Sequence, residues 1–263
     1  MTPNKQIVFM HIAKAAGSSI NNIFAQILGE DQCCFHIEWL MQTKSLEEII
    51  TNKSFVSGHV YSNVIKQINP DNAIKFTVLR EPYSHLVSHL LWLDHYGQPG
   101  YEHEYKSLNQ DIKALVDFIA STDLANPYDL DHLLVNLPSW GIKLLNNCQA
   151  RYLIGQPKNF DLLSLKSFPL AINNLRSFDV RGTLENLPEV IKSVLEISGV
   201  SNFNLEDINT KKKVNKQISD RSIDLGNPLV RSILQKHILL DIKLYNSILN
   251  EQEIKEPNRV AAI

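Results

Sequence analysis

Lys14, Gly17, Ser18 and Ser19 stand close together in Ala13-Lys14-Ala15-Ala16-Gly17-Ser18-Ser19, between an apolar run and an amphipathic stretch. A loop leading from a strand into a helix offers backbone N–H groups and the positive helix end to an anion. Lys14 adds a full charge, Gly17 allows close backbone approach beside Ala16, and Ser18 and Ser19 supply hydroxyl donors. The loop therefore suits a phosphate or phosphosulfate. An exposed lysine in an ordinary strand-to-helix turn would use the same residues, so a second cluster matters. Arg80 ends the apolar part of Phe76-Thr77-Val78-Leu79-Arg80-Glu81-Pro82, and Ser84 and Ser88 follow one helical turn apart on one face. Arg80 and Ser88 form a candidate second anion pocket, and a ligand phosphorylated at two separated points would engage both.

The elements that must carry these residues follow from periodicity. Ile7–Met10 is a continuous apolar run and reads as a strand buried on both faces. Ile20, Ile23, Phe24, Ile27 and Leu28 repeat at helical spacing, with Gly29 as the stop. Phe55-Val56-Ser57 and Ala73–Leu79 read as strands, and Pro82 opens a helix in a favoured first-turn position. Further helices are expected at Leu108–Ser121, around Trp140–Leu153 and at Leu187–Ile197, with a short strand at Ser177–Arg181. Leu229, Ile233, His237, Leu240, Leu244 and Ile248 mark the cleanest amphipathic helix. Strands alternating with helices imply an α/β fold with a mostly parallel central sheet wrapped by helices, in one domain over residues 1–263.

Composition narrows the function classes. A formal net charge of -2 gives no global attraction to nucleic acid or to an anionic membrane, so an anionic ligand must meet a local cationic cluster. Cys33, Cys34 and Cys148 cannot pair completely, which suits a reducing compartment. The short polar start, Met1 to Gln6, lacks the pattern of a signal peptide, and a cytoplasmic protein without an integral membrane segment is expected. The loop departs from the nucleotide-kinase pattern, which sets Lys directly after its last Gly; here Lys14 precedes Gly17 by three residues. The Ala73–Leu79 strand ends in Arg80 rather than in a magnesium-binding acid. No Cys/His spacing resembles a zinc site, and transfer without a metal is the expectation.

The chain resembles the carbohydrate sulfotransferases that use 3′-phosphoadenosine 5′-phosphosulfate (PAPS), especially the group containing the uronosyl 2-O-sulfotransferases. His11 to Ile20 looks like the family's 5′-phosphosulfate loop, and Leu79-Arg80-Glu81-Pro82 with Ser88 looks like its 3′-phosphate motif. Asn147-Cys148-Gln149-Ala150-Arg151-Tyr152-Leu153, Phe178 to Glu185 and Asp241-Ile242-Lys243-Leu244-Tyr245 are similar to later family segments. Ala13 stands where the family usually has Pro, and Ala15 and Ala150 where it usually has Thr. The likeness runs from residue 7 to about residue 249.

It implies a P-loop-like sulfotransferase fold and sulfuryl transfer to an acceptor hydroxyl, on a glycan or glycolipid, releasing 3′,5′-bisphosphoadenosine (PAP). By the same analogy Lys14 is catalytic, Ala16, Gly17, Ser18 and Ser19 hold the 5′ group, and Arg80 and Ser88 hold the 3′-phosphate. Gly58-His59-Val60 matches a segment carrying a catalytic histidine, so His59 is the expected base; its strand-end position and near-neutral titration suit that role. Surface positions are expected for His85 and His89, with acceptor contacts as the alternative, while His36, His95, His103, His132 and His237 show no constellation. Gln149 and Arg151 are candidates to touch donor or acceptor, with a structural ion pair as the alternative for Arg151. Lys211-Lys212-Lys213 reads as a solvated loop, or as a flap over the nucleotide. Two other functions share the strand-loop-helix opening: an ATP- or GTP-dependent phosphotransferase, and a nucleotide-binding protein that has lost the chemistry.

Overall fold

A computed structural model describes residues 3–68, 70–155, 162–201 and 221–255. Lys211–Lys213 lie outside these residues. Five strands, β1 (Gln6–Met10), β2 (Cys33–Cys34), β3 (Phe55–Gly58), β4 (Ala73–Leu79) and β5 (Val180–Thr183), form one sheet in the order β2-β3-β1-β4-β5. Every pairing is parallel. The apolar run of β1 is explained by burial on both sides: Ile7 and Phe9 enter one core, Val8 and Met10 the other.

The first core packs α1 (Gly17–Leu28) and α8 (Leu187–Ile197) against the sheet through Ile20, Phe24, Ile191 and Val194. On the opposite face lie α6 (Cys148–Ile154), α7 (Phe168–Arg176) and the second half of α9 (Pro228–Lys255). A third cluster joins α2 (Pro82–His95), α3 (Gln110–Ala120), α4 (Pro127–Val135) and α5 (Ser139–Leu145) to the first half of α9. No helix among the described residues is long and apolar enough to cross a membrane.

The chain leaves β1 towards the β2–β3 edge and leaves β4 towards β5. The C-terminal ends of these two neighbouring strands are therefore a topological switch point, where ligands of open α/β sheets bind.

Several elements differ from the sequence expectation. The stretch expected as one helix around Trp140–Leu153 is two, α5 and α6, parted at Asn146-Asn147. Asn147 takes a left-handed backbone (φ 48°), and its side-chain oxygen accepts the N–H of Leu240 at 2.8 Å. The same intrusion explains why α9 kinks at Ile238, since the asparagine takes an N–H from the helical ladder. The Leu108–Ser121 stretch is divided too: α3 starts after Asn109, whose side chain caps Ile112, behind a short helix Glu102–Ser107. The strand expected at Ser177–Arg181 lies at Val180–Thr183, because Ser177 and Phe178 still turn back onto α7. The edge strand β2 is only two residues long, below the length at which alternation is visible.

Candidate active site

The loop after β1 is held in an unusual backbone path. Lys14 and Ala16 both have positive φ, 64° and 61°, and Ala16 ends as the N-cap of α1 without a side-chain cap. The N–H groups of Ser19 and Ile20 bond to the Ala16 carbonyl. Gly17 and Ser18 are thus the first-turn donors left for an external acceptor, and no acidic side chain in that turn competes for them. Three contacts pin the loop from behind: Ala15 N–H to Ile12 O (3.1 Å), His85 Nε2 to Ala13 O (2.8 Å) and Arg80 Nη1 to Lys14 O (3.1 Å). They supply stiffness to a loop that carries alanine at positions 13 and 15.

Gly17 has a structural duty inside the protein. A Cβ added there would lie 1.7 Å from His11 Nε2, so the imidazole fills the space beneath the helix start. His11 is 5% exposed, stacked on Phe9 and tilted against His59 with ring centroids 5.6 and 3.9 Å away, and has little room to swing aside. Burial, and then the proximity of His59 and His36, pull its pKa down to about 2, so the ring is neutral. We expect Gly17→Ala to destabilise the protein by about 1–3 kcal/mol through overpacking. Chemical denaturation of Gly17→Ala and of Gly17→Ala/His11→Ala checks this; no recovery in the double variant would refute the ring as the cause.

Arg80 is positioned by its own backbone. Gln149 is fully buried and clasps it from both sides: Arg80 N–H donates to Oε1 and Gln149 Nε2 donates to Arg80 O, each at 2.9 Å. Asp241 of α9 in turn caps α6, accepting Ala150 N–H at 2.7 Å and Gln149 N–H at 3.3 Å. Burial pushes the Asp241 carboxyl up to about 7, against the two N–H groups and Arg151, which hold it down. Gln149 thus supports Arg80 from within the protein. Arg151, 2% exposed, bonds the backbone and side-chain oxygens of Asn146.

Lys14 and Arg80 lie close together, the guanidinium of one on the carbonyl of the other. The Lys14 ammonium lies 5.4 Å from the centre of the Trp92 ring on α2. Burial, then Arg80, lowers its pKa to about 8. Ser84, Ser88 and Trp92 follow at four-residue steps along α2, so the half-buried Ser88 shares the face that brings Trp92 to Lys14. Glu81 caps this helix by accepting from Tyr83 and Ser84 N–H.

His59 stands just past β3, half-buried. Its Nδ1 lies 2.9 Å from the His11 carbonyl, which can only accept, so Nδ1 carries the proton and Nε2 keeps a lone pair. Its backbone N–H donates to Glu38 Oε2 at 2.9 Å. Burial lowers the His59 pKa, partly offset by Glu38 and the His11 carbonyl. Glu38 leaves no room for a side chain at position 58, where a Cβ would sit 2.5 Å from Oε2.

The other histidines depart from their expected places. His85 and His89 are buried, each 1% exposed, because their face of α2 turns towards the loop and α6 rather than solvent. Burial pulls His85 to about 4, and His89 lies well below the ordinary imidazole range. With Cys148 they place ligand-capable atoms within 4.8 Å of one another. His36 does belong to a constellation, with Glu38 and His59. His237 is mostly buried, and its carbonyl receives the Asn147 N–H. Sequence spacing missed these groupings, and with them Glu38 and Asp241, since each joins segments from different parts of the chain.

The arrangement offers a helix N-terminus, two cations and a neutral imidazole around the ends of β1, β3 and β4. That is equipment for gripping an oxyanion and taking a proton from a nearby hydroxyl. A search of curated proteins gave no match. A family model, that of the Sulfotransferase family, matches residues 1–246, and with most of its length so covered the chain belongs to the sulfotransferase family.

Proposed function

We propose that the protein transfers a sulfuryl group from PAPS to a hydroxyl of a carbohydrate, releasing PAP, with His59 as the base. The observation that carries this reading is the contact of Arg80 with the Lys14 carbonyl, which brings two cationic residues together at adjoining strand ends. The uncapped head of α1 supports it, since the Gly17 and Ser18 N–H groups suit a 5′-phosphosulfate. Arg80, with Ser88 on the neighbouring helix face, is the counterpart for a 3′-phosphate, the group by which PAPS differs from ATP.

The donor supplies an activated sulfur whose bond to the 5′-phosphate oxygen breaks as the acceptor oxygen bonds to it. Lys14 stabilises the negative charge that stays on the departing phosphate, and His59 Nε2 takes the acceptor proton. Positioning and electrostatics are then the protein's main contributions, as in phosphoryl transfer. A carbohydrate acceptor is what the motif resemblance to the uronosyl 2-O-sulfotransferases implies. Free Cys33, Cys34 and Cys148 fit a reducing cytoplasm.

Thermal unfolding with PAP and with ATP, each with and without magnesium, separates the readings. PAP at about 100 times its dissociation constant should stabilise by ~2.7 kcal/mol without magnesium. Arg80→Ala should lose most of that gain. Greater stabilisation by magnesium-ATP would favour a phosphotransferase. Labelled PAPS offered to a panel of glycans, glycolipids and small alcohols then tests turnover, and PAP binding without transfer to any of them would mark a binding protein.

A further inference from the structure

We infer that His36, Glu38 and His59 form a zinc site that, when filled, shuts the enzyme off by occupying its base. The three side chains offer ligand atoms within 4.8 Å of one another. Two histidines and one glutamate are a donor set of three-ligand zinc sites that keep a fourth position open.

The individual geometries fit this use. His36 Nδ1 and Glu38 Oε1 are 3.2 Å apart. Two ligands on a tetrahedral zinc, each bonded at about 2.0–2.1 Å, are themselves separated by about 3.3 Å. His59 has its Nδ1 proton committed to the His11 carbonyl, the outer contact that typically orients a metal-binding imidazole and leaves Nε2 for the ion. The other oxygen of Glu38 is likewise anchored, by the His59 N–H. His36 holds a left-handed backbone, φ 56°, which is costly for a non-glycine residue. Its side chain is 52% exposed, so an ion has a way in from solvent. The carboxylate offsets half the charge of the ion. Zinc on Nε2 takes the lone pair that would accept the acceptor proton, so bound metal and proton abstraction exclude each other.

The inhibition rests on His59 being the base, whereas the binding does not, and the experiment reads the two separately. Zinc is titrated into the full chain against a chromophoric chelator, with wild type, His36→Ala, Glu38→Gln and His59→Ala compared. All four keep the same cysteines. Wild type should bind zinc at least about tenfold more tightly than each variant, since loss even of an outer-shell partner costs 10–100-fold. Equal affinity in wild type and His36→Ala overturns the site. In the transfer assay zinc should inhibit wild type over the concentration range in which it binds, while His36→Ala transfers at the wild-type rate and stays insensitive there. Tight, variant-sensitive binding with undiminished transfer would uphold the site and overturn the base assignment instead.

Discussion

Lys14→Ala is expected to reduce sulfuryl transfer by roughly 10²–10³-fold, the usual loss when one preorganised charge-stabilising group is removed from a reacting centre. The fold should survive, because the side chain is half-buried and its ammonium rests against the Trp92 face. The backbone cost of a positive φ at this position is the same for lysine and alanine. The ammonium also sets a pH signature. Burial, followed by Arg80, lowers its pKa to about 8, so it is charged below that value and loses its proton as pH rises through it. The kcat/KM for PAPS in wild type should therefore fall above pH ~8. Bound anionic donor stabilises the ammonium, and the corresponding fall in kcat should lie at higher pH. In Lys14→Arg the guanidinium does not titrate in this range, and the alkaline limb should vanish whatever activity remains. Steady-state profiles of both variants decide the matter. A limb that persists in Lys14→Arg would remove Lys14 from the titration, and an alanine variant within tenfold of wild type would remove it from the chemistry.

The parts legible in the sequence are those fixed by local pattern. The apolar run Ile7–Met10 announced a strand covered on both faces, and the helical repeat from Ile20 to Leu28 ran to the glycine that stops it. Arg80 at the end of β4 and Lys14 beyond β1 could be paired in advance because alternating strands and helices imply a parallel sheet with its loops at one end. What stayed hidden depends on contacts distant in sequence. The break between α5 and α6 needs Asn147 to reach Leu240, and the support of Arg80 needs Gln149 to be capped by Asp241. Likewise the burial of His85 and His89 follows from how α2 packs. They were expected at the surface, because nothing local tells which side of the helix α6 covers.

These distant contacts form one chain of support. Asp241 fixes the start of α6, Gln149 within α6 holds the backbone of Arg80, and Arg80 reaches the Lys14 carbonyl. The loop proposed to meet the anion is thereby tied to the kinked C-terminal helix. Buried polar networks of this kind rigidify when every member is satisfied, which is what a site needs if it must be arranged before the ligand arrives.

His59→Ala is expected to lower transfer by about 10²–10⁴-fold while leaving PAP stabilisation nearly unchanged. The split follows from where the imidazole stands. It lies at the end of β3, on the other side of β1 from the Arg80 strand, and its fixed contacts are to the His11 carbonyl and Glu38. With Nδ1 bonded to that carbonyl, the neutral ring presents an unprotonated Nε2, and burial favours the neutral form. His11 does not replace it: that ring is buried with its pKa near 2 and packs under Gly17. PAP-induced thermal stabilisation measured beside transfer guards against a folding artefact, since a variant that still binds PAP has kept the loop and the crevice. Loss of PAP binding along with activity would make His59 a structural support, and transfer within tenfold of wild type would send the acceptor's proton elsewhere.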